Sequence, residues 1–222
     1  MTHSLIDILI RPGEFFSRLM TETENFTLPL LILLAGGIVS AGYGYLIGEV
    51  SARMMGEAIP GTGEIMTIVT VLGGLFGVFI FWIIWSGVIY LLTMACKGDG
   101  SFNRTLQVVA YGYLPQVFGS VIALIVALEY VPRIVVPKIT SAMVQDPVAL
   151  QQAMAGLMHD PAMVEMTQIS TLITIVFLLW SANIWIFGIQ HARKLSMRNA
   201  ALCVGLPVIA WILYMIYNLG VS

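Results

Sequence analysis

Hydrophobic residues run almost without interruption through five stretches, roughly residues 26–47, 65–95, 106–128, 169–189 and 200–219, while nearly every charge falls in the gaps between them. Each stretch reaches the roughly 20 residues that a helix needs to cross about 30 Å of hydrocarbon. A helix of a water-soluble domain keeps a charged outer face, and these five have none. The pattern therefore predicts an all-α polytopic membrane protein with five transmembrane helices. The second stretch is longer than one crossing requires, so it must tilt, bend or protrude. The third carries Pro115 inside it, which deprives the carbonyl of Tyr111 of its helical donor and predicts a kink facing protein.

Two regions outside the spans also carry periodicity. In residues 1–25, Leu5, Ile8 and Leu9 share a face, and after the Pro12-Gly13 break Phe15, Phe16 and Leu19 form another. This segment reads as an interfacial amphipathic helix lying along the headgroup boundary. A short helix packed on the ends of the bundle is the alternative. Its charges interrupt any signal-type apolar core. The membrane domain then occupies residues 26–222, with an outer loop at 129–168. In that loop Asp146-Pro147 and Asp160-Pro161 each read as an N-cap followed by proline in the first helical turn. Short amphipathic helices, rich in methionine, are expected there.

Charge sets the orientation. Placing the N-terminus inside puts Arg11, Arg18, Lys97, Arg104, Arg193, Lys194 and Arg198 on the cytoplasmic side and only Arg53, Arg133 and Lys138 outside. That bias predicts a cytoplasmic N-terminus and an external C-terminus in a cell membrane. A net charge of −2 gives no basic surface for nucleic acid.

Small residues mark where helices approach closely. Gly36, Ser40, Gly44 and Gly48 recur every four residues in the first span and form a packing seam of the kind membrane helices use. Gly73 and Gly77 in the second span, Gly119 in the third and Gly205 in the fifth suggest further seams.

Candidate chemistry is sparse. The deep polar groups are neutral, among them Gln107, Gln116, Asn183 and Gln190, so no intramembrane carboxylate supports a proton- or ion-coupled carrier. Three scattered histidines and two separated cysteines form no metal-ligand spacing, and no cofactor is implied. The Gly98-Asp99 pair resembles that of intramembrane aspartyl proteases, yet no second membrane aspartate exists to share its proton. No hydrolase or phosphate-loop motif is present, and the reading is of a protein that is not an enzyme.

One segment exceeds what a turn requires: residues 98–115, running Gly98-Asp99-Gly100-Ser101-Phe102-Asn103-Arg104-Thr105-Leu106 and then through Tyr111-Gly112-Tyr113-Leu114-Pro115. It resembles the Yip1 family of multi-pass membrane proteins, in which a loop of the type Gly-x-Gly-Ser-Phe-x-x-Thr-Leu precedes a Tyr-Gly/Ser-Tyr-x-Pro segment in the third of five spans. The earlier run Arg11-Pro12-Gly13-Glu14-Phe15-Phe16 is similar to the family's pre-membrane Pro-x-x-x-Phe motif. The chain lacks the long acidic N-terminal domain of eukaryotic members and their second-span Asp-Leu-Tyr-Gly-Pro-type sequence. The resemblance is thus to short prokaryotic members, for which it implies no defined activity.

Asp99, Arg104, Tyr111, Tyr113, Pro115 and Gln116 are accordingly the candidate interaction residues. The expected role is non-enzymatic, a scaffold or membrane organiser acting through protein or lipid contacts. The expected partners are membrane lipids, an unidentified membrane protein and, as a candidate homo-oligomer, a second copy of the chain. The alternative is a small transporter or channel for a neutral or weakly polar solute, built on Gln107, Gln116, Asn183 and Gln190 facing one cavity.

Overall fold

The computed structural model describes residues 5–55 and 61–221. Residues 1–4 of the predicted N-terminal segment, the connection 56–60 and Ser222 lie outside them. The described residues are helical almost throughout. Two short helices, α1 (Leu5–Ile10) and α2 (Pro12–Leu19), precede the long α3 (Thr27–Met55) and α4 (Thr62–Ala95). The third span is two helices, α5 (Phe102–Gly112) and α6 (Leu114–Tyr130). After a 3-10 turn at Val131–Arg133 come the short α7 (Ser141–Val144) and α8 (Pro147–Met158). The long α9 (Pro161–Ala192) and α10 (Met197–Val221) complete the chain. Five helical spans are long and apolar enough to cross a membrane. The fold is all-α and polytopic.

The spans pack in a ring in the order α4, α3, α6, α9, α10, which returns to α4. The α3–α4 pair is the most intimate. A Cβ on Gly44 or Gly74 would collide with backbone of the facing helix, at Thr70 and Ser40 respectively. A Cβ on Gly48 would stand 2.7 Å from the Cα of Thr67. The Gly36, Ser40, Gly44 and Gly48 stripe therefore lies against α4 of the same chain, with Gly36 also reaching Val117 of α6. On α4 the close approach is made by Gly74. Gly73 and Gly77, the residues expected there, meet nothing within 4 Å, and neither does Gly205.

The N-terminal segment is built into the bundle. Ile8, Phe15 and Phe16 are fully buried in the main core. Phe16 fits over Gly188 of α9, where a Cβ would come within 3.0 Å of its ring. Leu5, Ile6 and Ile10 remain exposed on the other side of α1. Pro12, which has no N–H to lose, starts α2 at a point where a free N–H would be orphaned anyway.

At the opposite end both predicted aspartate caps are present. The Oδ1 of Asp146 accepts the N–H groups of Val148 and Ala149, at 3.0 and 3.2 Å. That of Asp160 accepts those of Ala162 and Met163, at 3.0 and 3.1 Å. Because Asp160 starts α9, the fourth span begins eight residues before the apolar run at residue 169 does. Its other oxygen accepts the Val135 N–H at 3.2 Å and so fastens the loop to the helix it caps. Ile139, Met143, Leu150 and Leu157 pack with Met54 and Met55 over the end of α3, whereas Val135 and Met154 face outward.

Candidate functional site

Of the residues singled out between 98 and 116, Asp99, Arg104 and Tyr111 gather at the end of the bundle that carries α1 and α2, called here the N-terminal face, whereas Tyr113 and Gln116 line the interior of the ring. Two arginines organise that face, each bonded to two backbone carbonyls.

Arg193 is 2% exposed at the end of α9. Its Nε donates to Thr93 Oγ1 at 3.0 Å and its Nη2 to the Gly98 carbonyl at 2.8 Å. Its Nη1 donates to the carbonyl of Gly100. The guanidinium also lies over the Tyr90 ring, 4.4 Å from its centroid. The Asp99 N–H returns a bond to the Arg193 carbonyl at 2.9 Å. A buried guanidinium is tolerable here because it sits at the C-terminal ends of α4 and α9, where helix dipoles present partial negative charge. The flanking geometry is exacting. Gly100 has φ +150, and a Cβ there would collide with the Ala192 carbonyl. Lys97 and Lys194 both take left-handed φ values, 59 and 50, to turn the chain out of their helices. Asp99 itself is exposed and pairs with Lys194 at 2.8 Å. That ammonium holds the carboxyl below its ordinary pKa.

Arg104 performs the corresponding task on α5. Ser101 caps that helix by accepting the Arg104 N–H at 3.1 Å. The guanidinium then reaches the Leu19 carbonyl at 3.3 Å, the Glu22 carbonyl and the Glu24 carboxylate at 3.6 Å. It also donates at 2.9 Å to Gln107, whose own Nε2 donates to the Asn25 carbonyl at 2.8 Å. The segment between α2 and α3 is thus stapled to α5.

Below this joint the third span breaks at Tyr113, two residues before Pro115 and within the stretch where that proline predicts a kink. The Tyr113 N–H bonds to Ala110, three residues back, at 3.2 Å. The Val109 carbonyl is served instead by the indole Nε1 of Trp185 at 2.9 Å. The Tyr111 carbonyl accepts a backbone N–H of the turn itself, so none of the side-chain donors considered for it is needed. Pro115 occupies the first turn of α6, buried and facing protein. Tyr111 packs edge-on against Phe15, with ring centroids 5.1 Å apart. Tyr113 packs edge-on against Trp185 at 5.8 Å.

Of the four amides expected around one cavity, only Gln116 lines one. Gln107 is spent on Arg104 and Asn25, and Asn183 faces outward. The cysteines, distant in sequence, bring their sulfurs to 3.4 Å between α4 and α10 as free thiols. Among the described residues no cluster of three His, Cys, Asp or Glu side chains stands ready to hold a metal.

The burial of Phe15 and Phe16 matches the alternative of a short helix packed on the end of the bundle, whereas the carbonyl-bound, buried role of Arg193 and the part played by Trp185 do not show in the sequence pattern. An arginine immediately after a long apolar run, with a Gly-Asp-Gly turn elsewhere, was the nearest available signal for Arg193.

A ring of five apolar spans, with its polar residues gathered at the ends, defines a multi-pass membrane protein whose helices touch lipid. The chain belongs to the Yip1 family: the Yip1 domain model matches residues 6–218. It is also 31% identical over 128 residues to an uncharacterized protein of Methanocaldococcus jannaschii, covering 56% of this chain and 88% of the relative. No solved structure matches significantly.

Proposed function

We propose that the protein is non-enzymatic and works by contact, organising neighbouring proteins or lipids in a cell membrane, with the N-terminal face in the cytoplasm and the C-terminus outside. One observation carries this reading. Arg104 and Arg193 each bond to carbonyls of their own chain, so they act as joints and do not converge on a reacting centre. What the molecule offers to its surroundings is apolar helix surface, most of all on α4, where Ile68, Leu72, Phe76, Ile80 and Ile84 are exposed. Such a face suits lipid, a partner helix or a second copy of the chain. The excess of Lys and Arg at the N-terminal face supports its cytoplasmic placement.

The transport alternative draws less support, since the amides it requires are dispersed. Photoreactive residues at Ile84 and Met197 in native membranes test the proposal. Discrete, reproducible protein or lipid adducts are expected. An absence of adducts, together with a neutral-solute flux in proteoliposomes that Gln116→Ala abolishes, would overturn it.

A further inference from the structure

The two cysteines of the chain stand 107 positions apart, and the fold joins them at the seam where the ring of spans closes. That seam, between α4 and α10, is the sparsest of those around the ring. Within it Phe81 of α4 packs edge-on against Trp211 of α10, with ring centroids 5.4 Å apart. At its end on the N-terminal face, Cys203 Sγ donates to Cys96 Sγ at 3.4 Å, and both are free thiols. No third His, Cys, Asp or Glu side chain joins the pair among the described residues, so its chemistry is that of two thiols.

Their surroundings differ. Cys203 lies inside the regular helix α10 and is 2% exposed, so a reagent from water does not meet it first. Cys96 is half-buried and caps α4, with φ −86 and ψ 11, where the backbone leaves the helix. Exposed Lys97 follows it and turns the chain away with φ 59. A disulfide requires the sulfurs to close from 3.4 Å to about 2.05 Å. The helix-end position of Cys96 supplies that movement while α10 keeps its place. One accessible sulfur with a second, shielded sulfur directed at it is the arrangement that thiol–disulfide exchange uses, the first to attack and the second to resolve.

We propose that Cys96 and Cys203 form a dithiol–disulfide site whose co-substrate is a low-molecular-weight disulfide, RSSR. The Cys96 thiolate attacks one sulfur of RSSR, which leaves a mixed disulfide on Cys96 and releases the first thiol, RSH. The Cys203 sulfur then attacks the Cys96 sulfur and expels the second RSH. Two protein thiols are oxidised, one RSSR is reduced to two RSH, and the two protein protons leave on those thiols. The new bond ties α4 to α10 and makes the closure of the ring covalent. In the cytoplasm, where thiols are kept reduced, such a bond is transient and is removed by exchange with thiols. The site goes beyond the contact-based role proposed above, and only the transience of the bond draws on the placement proposed there.

The test uses the full-length protein in nanodiscs, reduced, freed of reductant and exposed to oxidised glutathione, with peptide mass spectrometry as the readout. In the wild type, peptides joined through Cys96 and Cys203 and lighter by two hydrogens are expected, and dithiothreitol should restore both thiols. Cys203→Ser should accumulate the glutathione adduct on Cys96, about tenfold over the wild type, because nothing resolves it. In Cys96→Ser, Cys203 should react about tenfold more slowly than Cys96 does in Cys203→Ser, because it is shielded. Oxidised wild type should melt above its reduced form, a rise that Cys203→Ser does not show. A stable Cys96 adduct in the wild type without the joined pair would overturn the proposal, whether or not either variant folds. So would dimers linked through Cys96 as the oxidation product, thiols that do not react at all, or an oxidised form that melts below the reduced one.

Discussion

The indole N–H of Trp185, on α9, bonds at 2.9 Å to the carbonyl of Val109, on α5, at the point where the third span is broken. The break removes that carbonyl's helical donor, and within hydrocarbon no water replaces it. Gly112 permits the approach, since a Cβ there would collide with the Trp185 ring. Both Trp185→Phe and Gly112→Ala should therefore destabilise the bundle. The first leaves a buried carbonyl orphaned, at a cost of about 1–3 kcal/mol, and the second forces the indole away. Thermal unfolding in detergent checks this. A Trp185→Phe variant that melts with the wild type would show that the carbonyl has another donor.

Much of this arrangement could be anticipated and some could not, for identifiable reasons. The five spans were legible because lipid imposes a composition on whole helices. Asp146 and Asp160 were legible as caps because capping is local, acting within three residues. The break near Pro115 was legible from the proline, but its donor was not, since that is an indole from a helix some 70 residues away in sequence. Nor was the facing of Asn183, because an amide's periodicity within an otherwise apolar helix does not show which side is protein. Gly73, Gly74 and Gly77 were indistinguishable as letters. Only the packing separates Gly74, pressed on Ser40, from the other two, which border empty space. Arg193 reads in sequence as one more positive charge, and its burial depends on the carbonyls of a turn nearly a hundred residues earlier.

Arg104 holds the segment between α2 and α3 by its backbone, so its loss should loosen that segment before it unfolds the bundle. In Arg104→Met, faster hydrogen exchange is expected across residues 11–25 with α6 and α9 unchanged. The lost charge-assisted bonds amount to about 1.5–3 kcal/mol. Uniform exchange across the chain would place the weight of the joint elsewhere.

The contact of Gly44 with the Thr70 backbone leaves no room for a side chain. Gly44→Leu should part α3 from α4 and lower stability by about 1–3 kcal/mol as an overpacking cost. Gly205→Ala on α10, with open space around it, should have little effect. Equal melting temperatures for Gly44→Leu and the wild type would mean that the two helices are held apart from this face.

The orientation of the two ends underlies the whole functional proposal, because contact with cytoplasmic or external partners depends on it. Single cysteines at Ser101 and Ser196, both exposed at the N-terminal face, and at Ser51 and Ser141 toward the opposite end can be labelled in intact cells, in a background lacking Cys96 and Cys203. An impermeant maleimide applied outside should modify Ser51→Cys and Ser141→Cys and spare Ser101→Cys and Ser196→Cys until the membrane is opened. Labelling of Ser101→Cys from outside, with Ser141→Cys protected, would contradict the account.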